Sequence, residues 1–335
     1  MLEHGGRLRQ AAAVYGIELD GWLDLSTGLA PYEWPLPAFS PAVWSRLPED
    51  EDGLETLAAA YYGAAQALPV AGSQAAIQAL PQLFAAERVG ILEPCYAEHE
   101  HAWQRAGHEV VGLDLASVAE HLDQLGVLVV VNPNNPTGFQ IDVETLLEWH
   151  EVLHRQGGCL VVDEAFADVT PECSLAPFSD RPGLIVLRSL GKFFGLAGVR
   201  LGFVLAEPAL LALLQRHLGP WSVSGPARAV GKAVLADKTT RQLWRVRLQR
   251  DAQRLRQLLT EHDLTPAGGC DLFQWVPHVR AAQLHEAMAR RGILLRLFEQ
   301  PAALRIGLPN NESGWQRLHV ALADVGVQHA GQVRA

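Results

Sequence analysis

The chain reads as an α/β protein: a large domain built on a mixed, mostly parallel sheet with helices on both faces, plus a smaller α+β domain. Three observations predict this. Short runs of β-branched and aliphatic residues alternate with helical patterns from about residue 53 onward, as in βαβ units. A length of 335 residues, 49% of them apolar, suits two cores better than one. Glycine- and asparagine-rich segments follow several of the strands directly, at the sheet edge where open α/β sheets bind ligands.

Taken in order, residues 1–40 form an N-terminal arm contributing to the small domain. It holds a short helical stretch through Tyr15, a candidate strand Trp22–Leu25, and a connection with Pro31, Pro35, Pro37 and Pro41. Residues 41–225 form the large domain. Leu54–Tyr62 is an amphipathic helix, and Ser73 can cap another running to Phe84. Val89–Leu92 is a strand, Ala97–Arg105 a helix, and Val127–Val131 a buried strand followed at once by turn residues. Asp142–Gln156 is helical, with Leu160–Val162, Leu184–Leu187 and Leu201–Leu205 as further strands. From Gly225 a long arginine-rich helix is expected to run to about Glu261 and lead into the C-terminal small domain, 226–335.

A net charge of −10 argues against nucleic acid or an anionic membrane as partner. The N-terminus lacks the apolar core of a signal peptide, and no apolar run is long enough to span a bilayer. Cys95, Cys159, Cys173 and Cys270 show no metal-ligand spacing, so no metal is expected and a cytoplasmic location is. Only three of the 27 basic residues are lysines (Lys192, Lys232 and Lys238), which leaves 24 arginines. Any reactive amine must come from those three.

Four post-strand segments carry chemistry. Ala71-Gly72-Ser73-Gln74 joins an apolar stretch to a helix, an arrangement that serves either as a phosphate cradle or as a plain cap. Asn132-Pro133-Asn134-Asn135-Pro136-Thr137-Gly138 combines a fixed backbone with amide donors, more than a simple turn requires. Asp163 and Glu164 close a buried strand, where a carboxylate needs a cation or a donor. Finally, Ser189-Leu190-Gly191-Lys192 leads through small and apolar residues to Arg200, surroundings expected to lower a lysine's pKa and leave it nucleophilic. Lys232 and Lys238 are expected to be solvated charges on the helix that begins near Gly225.

This ordered set resembles the pyridoxal-phosphate enzymes of aminotransferase fold type I, over nearly the whole chain. The resemblance implies that Lys192 is the Schiff-base lysine and that Asp163 pairs with the cofactor's ring nitrogen. It implies that Asn135 bonds the phenolic oxygen and that Tyr96 stacks on the ring. Gly72, Ser73, Gln74, Ser189 and Arg200 would hold the phosphate, and Arg305 would grip a substrate carboxylate. A homodimer is implied as well. The chain departs from the family pattern at Phe166, where tyrosine is common, at Leu47-Pro48-Glu49, where Tyr-Pro-Asp is common, and at Gly191, where a hydroxyl residue is common.

Within the family, His4-Gly5-Gly6 and Leu23-Asp24-Leu25-Ser26 resemble the opening of the cobalamin-pathway threonine-phosphate decarboxylases. That branch implies a phosphorylated amino-acid substrate, L-threonine O-3-phosphate, contacted by His4, Gly5 and Gly6, with (R)-1-amino-2-propanol O-2-phosphate as product. The alternatives are a histidinol-phosphate or related aminotransferase, and a non-catalytic relative assisting a cobalamin-pathway complex. A dinucleotide-binding oxidoreductase would need G-x-G-x-x-G after a strand, which the sequence lacks.

Overall fold

The N-terminal segment is tied down by backbone pairing. In this computed structural model, which describes residues 4–332 and side chains through Val325, helix α1 (Leu8–Tyr15) ends at Gly16 in the left-handed region and leads to strand β1 (Leu23–Asp24). Helices α2 (Ala42–Ser45) and α3 (Leu54–Tyr62) follow. The chain then lays down β2 (Leu68–Val70), α4 (Ser73–Ala79), β3 (Arg88–Leu92), α5 (Glu98–Arg105), β4 (Glu109–Leu113), α6 (Val118–His121) and β5 (Val127–Val131). Next come α7 (Val143–Arg155), β6 (Cys159–Asp163), β7 (Leu184–Ser189), β8 (Gly202–Leu205) and α8 (Pro208–Leu218). The remaining elements are α9 (Gly225–Ala236), α10 (Lys238–Glu261), β9 (Gly268–Cys270), β10 (Phe273–Pro277), α11 (Ala281–Ala289), β11 (Ile293–Leu294), β12 (Arg296–Phe298), β13 (Ala303–Gly307) and α12 (Glu312–Gln332).

The chain divides into two compact units. One takes the chain up to Glu33, Pro136–Gly138 and the chain from Leu243 on; the other takes Trp34–Asn135 and Phe139–Gln242. The second is built on a seven-stranded sheet of order β2-β8-β7-β6-β5-β3-β4. All its pairings are parallel except those of β8, which runs antiparallel to both β2 and β7. This is the mixed, mostly parallel sheet that the alternation of patterns predicts. Val127–Val131 is buried at every position, as expected of a strand covered on both faces. In register, Val131 faces Asp163 and Asp163 faces Leu187, so the ends of β5, β6 and β7 lie side by side.

The first unit holds an antiparallel sheet of order β12-β13-β10-β9 and the small parallel pair β1-β11. Two expectations need correction. The helix from Gly225 is not continuous: it breaks at Asp237 (φ −81°, ψ 82°), whose carboxylate accepts from the Thr240 backbone N–H at 3.0 Å and so starts a new helix. The helix from Ser73 stops at Ala79, and a 3-10 turn, Leu80–Leu83, carries Pro81. Among the described residues no helix is long and apolar enough to cross a membrane, and no group of three or more His, Cys, Asp or Glu side chains could hold a metal ion.

Candidate active site

In the unit of the seven-stranded sheet, the candidate cofactor residues gather at the carboxyl ends of β5, β6 and β7 and around β8. Asp163 ends β6 and is buried, 3% exposed. Its Oδ1 accepts from the Ala165 backbone N–H at 3.0 Å, and its Oδ2 lies 3.0 Å from His99 Nε2. Besides that backbone donor, the side-chain partner of this buried carboxylate is His99, a residue with no motif to announce it. The cation in this segment is met by the neighbouring carboxylate instead. Glu164 is fully buried and meets Arg188 at 2.6 Å, while Arg188 also meets Asp168 at 3.0 Å. Burial pushes the Glu164 carboxyl up despite Arg188. For Arg188, burial opposes the charge, but the facing Asp168 and Glu164 outweigh it and hold the guanidinium protonated. Adjacent residues thus separate by strand alternation: Asp163 reaches His99, and Glu164 and Arg188 form the opposing buried pair.

Lys192 follows β7 and is half-buried, with its Nζ 5.4 Å from the centroid of the buried Phe166 ring. That apolar face occupies the place of the family's common tyrosine. Ser189 is buried and its Oγ accepts from the Gly191 backbone N–H at 3.3 Å, which closes the turn leading to the lysine. Of the other two lysines, Lys238 is exposed as expected. Lys232 is not simply solvated: its Nζ lies 2.9 Å from Asp52.

Gly72 has φ +76°, a conformation that strains any larger residue, and a Cβ there would lie 2.5 Å from Arg200 Nη2 and push the guanidinium aside. Arg200 is exposed and itself left-handed at φ 56°, stabilised by Nη1 donating to the Ala197 carbonyl at 3.1 Å. Tyr96 donates from its hydroxyl to Gln74 Oε1 at 3.0 Å, and Gln74 Nε2 donates to Glu98 at 2.7 Å. The turn after β5 is braced from within. Asn132 pairs reciprocally with the Ile141 backbone, and Asn134 donates to the Pro94 carbonyl at 2.8 Å. Asn135 stands half-buried beside them. Two of the three asparagines therefore build the loop that presents the third.

The other unit holds the remaining candidates. Arg305, on β13, is buried; it donates to the Ser26 carbonyl at 2.8 Å and lies 5.1 Å from the centroid of the Phe273 ring. A Cβ on Gly5 would lie 2.3 Å from the Ser26 carbonyl oxygen, and the Gly6 N–H donates to Ser26 Oγ at 2.7 Å. Ser26 Oγ in turn donates to Asp24 at 2.6 Å. The two N-terminal segments singled out in the sequence thus meet at one residue. A cavity of about 280 Å³ lies there, lined by His4, Gly5, Gly6, Ser26, His285 and Arg296. Sequence reasoning missed Arg296, which stands opposite Arg305 in the β12–β13 register. No motif marks it; only the pairing of strands brings it into view.

The donor set of the sheet unit suits pyridoxal phosphate. It offers a half-buried amine just after β7, a buried carboxylate for a ring nitrogen, and an exposed arginine beside the glycine that precedes α4. Fold and site together define a class: the chain belongs to the family described as aminotransferase class I and II, whose model matches residues 48–330. Two relatives narrow this. A threonine-phosphate decarboxylase from Pseudomonas aeruginosa is 58% identical over 322 residues, covering 96% of this chain and 97% of that one. A second, from a Sinorhizobium species, is 44% identical over 329 residues, again 96% and 97%. Among solved structures, the histidinol-phosphate aminotransferase from Clostridium acetobutylicum aligns with a TM-score of 0.81 at 18% identity, covering 91% of this chain and 99% of that one. At that identity the likeness speaks for the fold alone.

Proposed function

We propose that the chain is a pyridoxal-phosphate-dependent decarboxylase that converts L-threonine O-3-phosphate to carbon dioxide and (R)-1-amino-2-propanol O-2-phosphate, a step of cobalamin biosynthesis. The observation that carries this is the 58% identity to a threonine-phosphate decarboxylase across nearly the full length of both chains. The geometry agrees with a substrate bearing two anionic groups. Arg305 and Arg296 stand in register on neighbouring strands, and Arg296 lines the cavity with His4, Gly5, Gly6 and Ser26.

Bound in the sheet unit, pyridoxal phosphate supplies an electron sink for the pair left behind when a bond to the substrate's α-carbon breaks. The residues of the chain do the rest. Lys192 would hold the cofactor through its Nζ and, once the substrate's amino group has displaced it, the freed amine would deliver a proton to the α-carbon that has lost its carboxylate. Asp163 would accept from the ring N–H, and Asn135 would donate to the phenolic oxygen. Tyr96, bonded to Gln74, would pack on the ring. Gly72, Ser73, Gln74, Ser189 and Arg200 would hold the cofactor phosphate.

Arg305 orients the substrate carboxylate by its bidentate fork. The carboxylate loses its charge as carbon dioxide departs, so a strong grip on it favours the ground state. Binding energy is better drawn from the substrate phosphate, which does not react. His4, Gly5, Gly6 and Arg296 are the groups proposed to hold it.

The working unit is proposed to be a cytoplasmic homodimer. Trp44, Trp221 and Leu47 are large exposed apolar side chains, consistent with a further covered surface; sedimentation of the purified chain tests this. Supplying L-threonine O-3-phosphate and following gas release tests the activity. Carbon dioxide is expected without any oxo-acid acceptor. Turnover that requires 2-oxoglutarate and releases none would contradict the proposal.

A further inference from the structure

Behind the strand that carries Arg305 lies a cavity to which the reaction assigns no task. It measures about 290 Å³ and is enclosed by β13, α11 and α12. Leu304 and Ile306 of β13, Leu284 and Met288 of α11, and Leu318 and Leu322 of α12 form its walls, and all six are buried. Strand alternation turns Leu304 and Ile306 toward this cavity and Arg305 to the other face, where it donates to the Ser26 carbonyl. Apolar walls give water no hydrogen-bond partners and give an apolar body many contacts. The volume is about twice the ~150 Å³ that accommodates a benzene molecule, which is room for about ten non-hydrogen atoms.

The solvent-facing end is polar. His262 and Asp263, just after α10, and His278 and Arg280, just before α11, line it and are half-buried or exposed. His262 Nε2 lies 3.3 Å from Nδ1 of His319 on α12. His278 Nδ1 accepts from the Arg280 backbone N–H at 3.1 Å, so a neutral His278 carries its proton on Nε2. Arg280 is the fixed cation of this end and Asp263 its single carboxylate, so donors outnumber acceptors. We propose that the cavity binds a small amphiphile, with an aliphatic body of about eight carbons among the six apolar side chains and a carboxylate head at Arg280. The body presses on Leu304 and Ile306, so binding there is coupled to the grip of Arg305 on the substrate carboxylate. That coupling rests on the role given to Arg305 above; the binding site itself does not.

Octanoate is the probe, added to the full chain. Met288 lines the cavity and the other methionine of the chain is Met1, so a methyl-¹³C methionine label gives one signal from the cavity wall. Octanoate should shift the Met288 methyl signal with a dissociation constant on the order of 10⁻⁴ M. Octanol should bind more weakly and octylamine most weakly. No shift with octanoate, or tighter binding of octylamine, would overturn the proposal. Arg280→Gln should weaken octanoate about tenfold and leave octanol unchanged; wild-type affinity for octanoate in that variant, or an equal loss for both ligands, would remove the carboxylate head.

With L-threonine O-3-phosphate as substrate, saturating octanoate should change KM about threefold or more while kcat stays within about twofold. Leu284→Trp, which fills the cavity, should remove this response. A response that survives there would put octanoate at the active site and overturn the coupling, as would an unchanged KM in the wild-type protein. Should Leu284→Trp fail to fold, Arg280→Gln serves the same end: its response should need about tenfold more octanoate, and one at the wild-type concentration would overturn the coupling. If the chain does not decarboxylate the substrate at all, the role of Arg305 falls, while the Met288 signal still decides whether the cavity takes octanoate.

Discussion

The two regions that carry the candidate chemistry are built differently. In the sheet unit, Asp163 and Ser189 end adjacent parallel strands and are buried, each fixed by at least one hydrogen bond to a neighbouring residue. In the other unit, Gly5 lies against the Ser26 carbonyl, Gly6 donates to the Ser26 hydroxyl, and Arg296 is placed by one antiparallel register. The first region depends on the integrity of a core sheet, the second on a short N-terminal segment laid against one strand end. Reaction chemistry is expected to fail sharply on perturbing the first, whereas substrate preference should shift gradually on perturbing the second.

The sharpest break should come at Lys192. Lys192→Ala is expected to lower decarboxylation about 10⁴-fold or more, assayed as carbon dioxide release, and to abolish borohydride-stable labelling by the cofactor. Activity within tenfold of wild type would move the amine to Lys232 or Lys238 and undo the comparison.

Next in size is the buried charge cluster behind the site. Arg188→Met leaves Glu164 and Asp168 buried without their cation, a change expected to cost about 3–5 kcal/mol in urea unfolding. In the other unit the effect should fall on the substrate alone. Arg296→Met is expected to lower kcat/KM for the phosphorylated substrate about 100-fold, as for a lost charge-assisted contact, while leaving the cofactor's dissociation constant unchanged. A matching loss of cofactor affinity would mean that the two regions do not divide the work as described.

The smallest effect is electrostatic. Burial works to raise the Asp52 carboxyl, but donors from Arg228 and Lys232 overcome it and bring the group down to about 2 from 3.8. A carboxyl whose pKa is lowered in the folded protein adds stability above its ordinary pKa and loses that contribution as pH falls toward 2. Asp52→Asn should therefore shrink the loss of stability between pH 5 and pH 2 by up to about 2 kcal/mol, read from urea midpoints at the two pH values.

The same contrast governs how much could be read from sequence. Strands such as Val127–Val131 carry continuous apolar runs, and the segments that follow them combine residue types rarely grouped by chance, so the mixed sheet and its ligand edge were legible. Lys192 was legible because lysine is so scarce. His99, Glu98 and Arg296 were not. His99 and Glu98 gain their places from long-range contacts, Asp163 being 64 positions from His99 and Gln74 24 from Glu98, and Arg296 gains its place from the register of successive strands, which sets it opposite Arg305. The break at Asp237 was missed for a related reason. Both flanking stretches favour helix, and the interruption depends on one side chain capping the second helix.

The central claim is that the bond to the carboxylate breaks while the Cα–H bond survives. Turnover of L-threonine O-3-phosphate in D₂O, followed by NMR of the amine product, tests this most directly. A decarboxylase keeps the original hydrogen and gains one deuterium from solvent at the carbon that lost the carboxylate. Two solvent deuteriums at that carbon, or an oxo product formed without carbon dioxide, would show that the Cα–H bond is broken and would contradict the account.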